Sequence, residues 1–181
     1  LVYSLTISST GVDSGVATTA GNSVFLYMDG NDVVGREGSG TSPVANGAVA
    51  FRVSVDGSTA DVTLDQVMSL EHPTGGASSP NEEISLTSDV INLQAVLTDG
   101  DGDTDTETLN LADAISFFDD GPQLSSSDLT ADSLQVDETD LTTDITVNYS
   151  SNFSVDAGED DQDTLVYSLT ISSTGVDSGV A

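Results

Sequence analysis

Carboxylates are the side chains this sequence offers in quantity for chemistry, and they gather most densely at one turn. Every second residue from 99 to 105 is an aspartate (Asp99, Asp101, Asp103, Asp105), with Gly100 and Gly102 between the first three. Glycine has no Cβ to forbid positive φ, so Gly and Asp in alternation let the backbone turn sharply while several carboxylates converge. Such a loop supplies the hard oxygens that Ca²⁺ takes in sets of about six to eight, at about 2.3–2.6 Å. A second pair, Asp119-Asp120, is closed by Gly121-Pro122, and a third, Asp137-Glu138, heads the stretch that follows. The spacing predicts a calcium turn at Asp99, Asp101, Asp103 and Asp105. It also predicts a site between successive units, built from Asp119 and Asp120 and completed by Asp137 and Glu138. An exposed Asp-Gly turn that only keeps the protein in solution is the plainer alternative, but four carboxylates at one turn repel one another unless a cation quenches them. The acidic loop 156–163, with Asp160, Asp161 and Asp163, reads equally well as a solvated face.

Other chemistries find little support. His72 is the single histidine and there is no cysteine, so no thiolate or His cluster for a transition metal exists. No Gly-x-Ser-x-Gly elbow accompanies His72, and an aromatic content of 5% with no Trp offers no lined cleft for glycoside chemistry. An enzyme is therefore not expected. The Asp-x-Asp-x-Asp run departs from an EF-hand loop, since Thr104 stands where the turn glycine belongs and Asn110 where the bidentate Glu belongs.

Charge narrows the partners. Thirty-one acidic residues face two basic ones, Arg36 and Arg52, for a formal charge of −29. Without a basic patch to displace counter-ions, nucleic acid and anionic membrane surfaces are excluded as partners. No apolar run reaches the ~18 residues of a membrane span, so direct membrane insertion is not expected. High net charge can mean disorder, yet 36% of the residues are apolar and they alternate in strand-like runs.

The elements that must position these carboxylates are strands. Residues 1–17, LVYSLTISSTGVDSGVA, recur unchanged at 165–181, a period of 164 residues from Leu1 to Leu165. Identity over that length marks a tandem array, and a start in mid-pattern at Leu1 suggests an internal piece of it. Tyr3, Leu5 and Ile7 alternate with Ser4, Thr6 and Ser8 as in a strand with one wet face. Residues 24–28 and 33–35 read as one hairpin, and Phe51–Val55 with Val62–Leu64 as a second, turning at Asp56-Gly57. Apolar spacing over Leu64–Leu70 suggests one or two helical turns before Pro73. Residues 36–47 and 73–81 read as loops. Two strands are expected between Ile84 and Leu97, with Ile91, Leu93, Ala95 and Leu97 sharing a face, and one continuous strand from about Asp105 to Phe118. At ~3.4 Å per residue that strand would hold the acidic clusters up to ~40 Å apart, at opposite poles. Residues 123–133 suit a linker. Ile145, Val147 and Tyr149 suggest another strand, and the copied strand returns at Leu165. The fold class is all-β, an antiparallel sandwich with no long helix.

Several stretches taken together resemble a known family. They are Gly11-Val12-Asp13-Ser14-Gly15, Val34-Gly35-Arg36, Val62-Thr63-Leu64-Asp65-Gln66, Glu71-His72-Pro73, Asp99-Gly100-Asp101-Gly102-Asp103-Thr104 and Phe118-Asp119-Asp120-Gly121-Pro122. The run is similar to the long tandem repeat of giant RTX adhesins, surface proteins that Gram-negative bacteria export by type I secretion. The resemblance implies an extended Ig-like β-sandwich that binds Ca²⁺ within and between domains. It implies an extracellular role at the bacterial cell surface, projecting an adhesive tip for attachment and biofilm formation. It further implies that a unit closes at Asp119-Asp120-Gly121-Pro122. Residues 1–122 would then be the body of one unit, and 123–181 a linker and the start of the next. The expected partners are neighbouring repeats of the same polypeptide, head to tail, with residues 123–164 completing a neighbouring molecule; what the tip adheres to is not written in this stretch. A rival from another class is a ligand-binding module gripping a glycan or protein through loops 36–47 or 73–81.

Overall fold

The computed structural model describes residues 1–73, 81–128, 134–158 and 164–179. Within them, alternation of apolar and polar residues becomes twelve strands: β1 Val2–Ile7, β2 Val12–Ala17, β3 Ser23–Asp29, β4 Asp32–Glu37, β5 Val49–Val55, β6 Val62–Gln66, β7 Glu83–Ser85, β8 Ile91–Thr98, β9 Thr104–Asn110, β10 Ser116–Phe118, β11 Gln123–Ser126 and β12 Phe153–Asp156. The chain is all-β, and every pairing is antiparallel. Among the described residues the helical segments are two single 3₁₀ turns, Ala112–Ala114 and Ser150–Asn152. None is long and apolar enough to cross a membrane.

Strands β2-β3-β4-β5-β6 form one sheet, and β1-β8-β9 form a second that lays β1 across β3, β4 and β5. The core fills the space between them. Leu26, Val33, Phe51 and Val53 of the first sheet meet Leu5 and Ile91 of the second, with Leu70, Ala112 and Phe117 closing the margin. Phe51 and Phe117 touch at a ring-centroid distance of 5.2 Å, tilted by 49°. Gly35, opposite Phe51 in the β4–β5 ladder, has its place dictated by that ring, because a Cβ there would run into it. Ile91, Leu93, Ala95 and Leu97 alternate along β8 as expected. Their burial fades along the strand, from fully buried Ile91 to Leu97 at 54% exposure, so the acidic tip overhangs the core.

Four expectations are corrected. Leu64–Leu70 is not helical: Leu64 lies in β6 opposite Val53, and the N–H groups of Val67 and Met68 both donate to the Ala50 carbonyl, at 2.8 and 3.0 Å. Two residues sharing one partner is a bulge-like irregularity at the end of β6, and the apolar spacing does not mark one buried face, since Leu64 and Val67 are exposed. The continuous strand 105–118 is broken at Leu111, whose N–H donates to the Ile91 carbonyl before a 3₁₀ turn buries Ala112. Its second part, β10, pairs with β7 and not with β8, so the single-strand separation of the two acidic clusters does not apply. Residues 123–126 of the expected linker are strand β11, paired with β12 from Gln123 opposite Asp156 to Ser126 opposite Phe153. Residues 145–149 are not a strand, for among the described residues no ladder receives them.

The copied segment behaves differently in its two places. Residues 2–7 are β1, whereas 166–171, the same sequence, form no strand. Leu5 is 4% exposed and its counterpart Leu169 fully so. Residues 74–80 of the second loop, 129–133 of the linker and 159–163 of the third acidic loop lie outside the described residues.

Candidate metal centre

The β8–β9 hairpin closes with Thr98 opposite Thr104, which leaves Asp99-Gly100-Asp101-Gly102-Asp103 as its connection. The Asp99 N–H donates to the Asp103 carbonyl at 3.0 Å. Asp99 Oδ1 in turn accepts from the backbone N–H groups of Asp101, Gly102 and Asp103, at 3.3, 3.0 and 2.9 Å. One carboxylate oxygen thus gathers the turn around itself, as short acidic side chains do in loops. Gly102 sits at φ +99°, a conformation that a Cβ would strain.

This winding brings carboxylates together. One oxygen from each of Asp99, Asp101 and Asp103 lies within 4.8 Å of the other two, and all three residues are exposed. Oxygens on opposite sides of one Ca²⁺ stand about 5 Å apart, so the three are within reach of a single ion. The triad could hold a metal ion. A hydrogen bond with the Asp101 side chain, followed by the Asp103 N–H, holds the Asp99 carboxyl below its ordinary range. Asp105, the fourth expected ligand, is on β9 opposite Leu97 and outside the triad; its Oδ1 accepts from the Thr106 N–H at 3.0 Å.

The protein spends its own cations elsewhere. Arg52 places Nη2 2.8 Å from Asp29 and Nη1 2.8 Å from Asp32, the closing pair of the β3–β4 hairpin. Its hydrogen bond and charge lower the Asp29 pKa, and the two aspartates raise that of Arg52. Arg36 donates to the Gly47 carbonyl at 3.0 Å. One acidic hairpin end therefore carries an arginine, while no basic side chain is left for the turn at 99–103.

The second cluster is arranged otherwise. Asp119 follows β10, its N–H donates to the Glu82 carbonyl at 2.8 Å, and its side chain is 10% exposed. Its Oδ1 stands 3.6 Å from His72 Nδ1, and the imidazole is 6% exposed. His72 Nδ1 lies 3.0 Å from the Leu70 carbonyl and Nε2 lies 3.5 Å from that of Phe117. Both ring nitrogens face backbone carbonyls, which only accept, so the tautomer decides which of the two contacts is a hydrogen bond. His72 thus ties the end of β10 to the segment after β6, a structural role that the isolated histidine leaves open in the sequence. Asp120 is exposed and lines, with His72, Asp119 and Met68, a hollow of about 320 Å³. Asp137 and Glu138 are exposed, and Asp137 Oδ1 accepts from the Thr139 N–H at 2.8 Å, lowering its pKa. Among the described residues Asp119, Asp120, Asp137 and Glu138 do not converge into a ligand cluster.

No curated protein and no solved structure matches the chain. A family profile does match, over residues 1–112 and 133–181, including both copies of the seventeen-residue segment. That span covers most of the sequence, and the chain belongs to the family described as Domain of unknown function (DUF5801).

Proposed function

We propose that the chain is a calcium-stabilised structural extender repeat of a bacterial cell-surface RTX adhesin, exported by type I secretion and projecting adhesive domains for attachment and biofilm formation. One observation carries the reading: three carboxylates wound to within 4.8 Å at a hairpin tip, in a protein whose two arginines are engaged elsewhere. The tandem identity of 1–17 and 165–181 and the all-β sandwich support a repeated module. On this reading residues 1–122 are the body of one unit, 123–181 lead into the next, and the chain's partners are neighbouring repeats, head to tail. Asp105, the next aspartate along β9, would be the fourth ligand at this tip. Asp119, Asp120, Asp137 and Glu138 would form the junction site, with Asp119 using the oxygen that His72 does not face. Cation binding to the folded state then adds to its stability by mass action, about 2.7 kcal/mol at a hundredfold excess over Kd.

Calorimetric titration with Ca²⁺, paired with thermal melting in Ca²⁺ and in EGTA, tests this. A saturable binding isotherm and a fall of several degrees in Tm on chelation are expected; identical melting in both buffers sinks the reading. A ligand-binding module is the second reading. It is favoured by a hollow of about 930 Å³ that holds Tyr149, Phe153 and Tyr167, with the latter two rings 5.6 Å apart. Retention of a glycan there, lost in Tyr167→Ala, would move the assignment to that class.

A further inference from the structure

We infer that Asp120 and Gly158 are the two halves of a joint that fixes the angle between successive units through backbone contact, without a cation. Units that share little surface move relative to one another by default, so a rod needs something at its joints. On one side of this joint is the body. β10 ladders with β7 as far as Phe118 opposite Glu83, and the next residue, Asp119, donates its N–H to the Glu82 carbonyl at 2.8 Å. On the other side is the β11–β12 pair, which starts with Gln123 opposite Asp156. Just Asp120, Gly121 and Pro122 lie between these two anchors. Gly121 is buried and proline holds its own φ fixed, so the connection has little slack.

The chain leaving β12 closes the joint from the far side. Because β11 and β12 are antiparallel, the residues after Asp156 run back past Pro122 and Gly121 toward Asp120. Asp156 Oδ1 accepts from the Gly158 N–H at 3.3 Å, which curls the chain there. Gly158 then lies so close to Asp120 that a Cβ on it would run into the Asp120 carbonyl. Its φ of +72° is also one that side chains disfavour. Gly102 and Gly175 share that kind of φ, yet a Cβ on either would meet open space. Position 158 therefore excludes a side chain for lack of room as well as for its backbone angle, and what takes the room is the closing turn of the body. The touching groups are main chain, so the contact needs neither a basic residue nor an ion in a protein of net charge −29.

The inference rests on the tandem-spacer reading for its division at Pro122, and the test separates the two. The chain has no native cysteine, so Ser58→Cys on the body and Ser125→Cys on β11, both exposed positions, can carry nitroxide labels in the full chain. Pulsed electron resonance between them should give one narrow distance distribution, the same in Ca²⁺ and in EGTA. Gly158→Ala should broaden it severalfold, whereas Gly175→Ala, with a similar φ and open space, should leave it unchanged. Amide exchange over 123–126 and 153–156 should show the β11–β12 ladder intact in Gly158→Ala. A broad distribution in the wild type, an equally narrow one in Gly158→Ala, or equal broadening by Gly175→Ala would each overturn the inference. So would loss of the ladder in Gly158→Ala, since the glycine would then serve β12 and not the joint. A distribution that narrows only with Ca²⁺ would overturn it as well and leave the calcium reading standing. A narrow distribution in EGTA beside a flat calcium titration would uphold the joint and remove the calcium.

Discussion

Glu37 shows how a single carboxylate is put to structural use in so acidic a protein. Its Oε1 accepts from the Thr18 hydroxyl at 2.8 Å and the Asn22 amide at 2.9 Å, which ties the end of β4 to the turn between β2 and β3. Asn22, then Thr18, hold its pKa below the ordinary value. A depressed carboxylate stabilises the fold above its unfolded pKa, and that contribution is lost as pH falls through the folded one. Melting curves taken from about pH 6 to about pH 2 should therefore fall less steeply at the acid end for Glu37→Gln than for the wild type. Asp56 reinforces the same acid limb, its carboxyl lowered by the Ser58 and Thr59 N–H groups at the β5–β6 turn. Gly35 makes the opposite kind of demand. A methyl group there enters the Phe51 ring, which is itself fully buried against Phe117. Gly35→Ala should cost about 1–3 kcal/mol in urea denaturation, the range for overpacking a close-packed core. A loss under half that would mean that the ring can turn aside.

Among the elements, the β8–β9 hairpin concentrates the site. Replacing Asp99, Asp101 and Asp103 together by Asn keeps most of the turn's hydrogen-bonding capacity and removes three like charges. The triple variant should melt slightly higher than the wild type in EGTA and should lose the rise in Tm that Ca²⁺ gives; a preserved rise would place the cation elsewhere. This hairpin was legible in the sequence, because strict alternation on β8 and Gly-Asp alternation in the turn are both local signals. So were the two hairpins β3–β4 and β5–β6. What escaped was set by distant partners. Val67 and Met68 bond to Ala50, far away in sequence, instead of closing a helical turn, and 105–118 breaks where Leu111 turns to bond Ile91. The copied segment makes the point within one chain, since identical residues are a strand at 2–7 and none at 166–171. Of the eight expected ligands, Asp99, Asp101 and Asp103 converge within one turn, whereas Asp119 faces a histidine 47 positions away.

For the whole molecule the governing quantity is a net charge of −29. At 0.1 M salt the screening length is about 10 Å, short enough to mute repulsion between the two ends of a sandwich but not within the turn 99–103. Sodium chloride should therefore raise Tm gradually over hundreds of millimolar in EGTA, while Ca²⁺ should act at concentrations far below those that screen. Superimposed curves for the two salts at equal ionic strength would mean that general screening alone is at work. The unequal fate of the two copies has an analytical consequence. A peptide cut from within either one has the same mass, so deuterium uptake measured on it must report both at once. Its isotope envelope should split into two populations of equal size: one slow, from amides locked in the ladder with β8, and one labelled within the first seconds. A single slow envelope would mean that the copy at 166–171 is protected as firmly as β1.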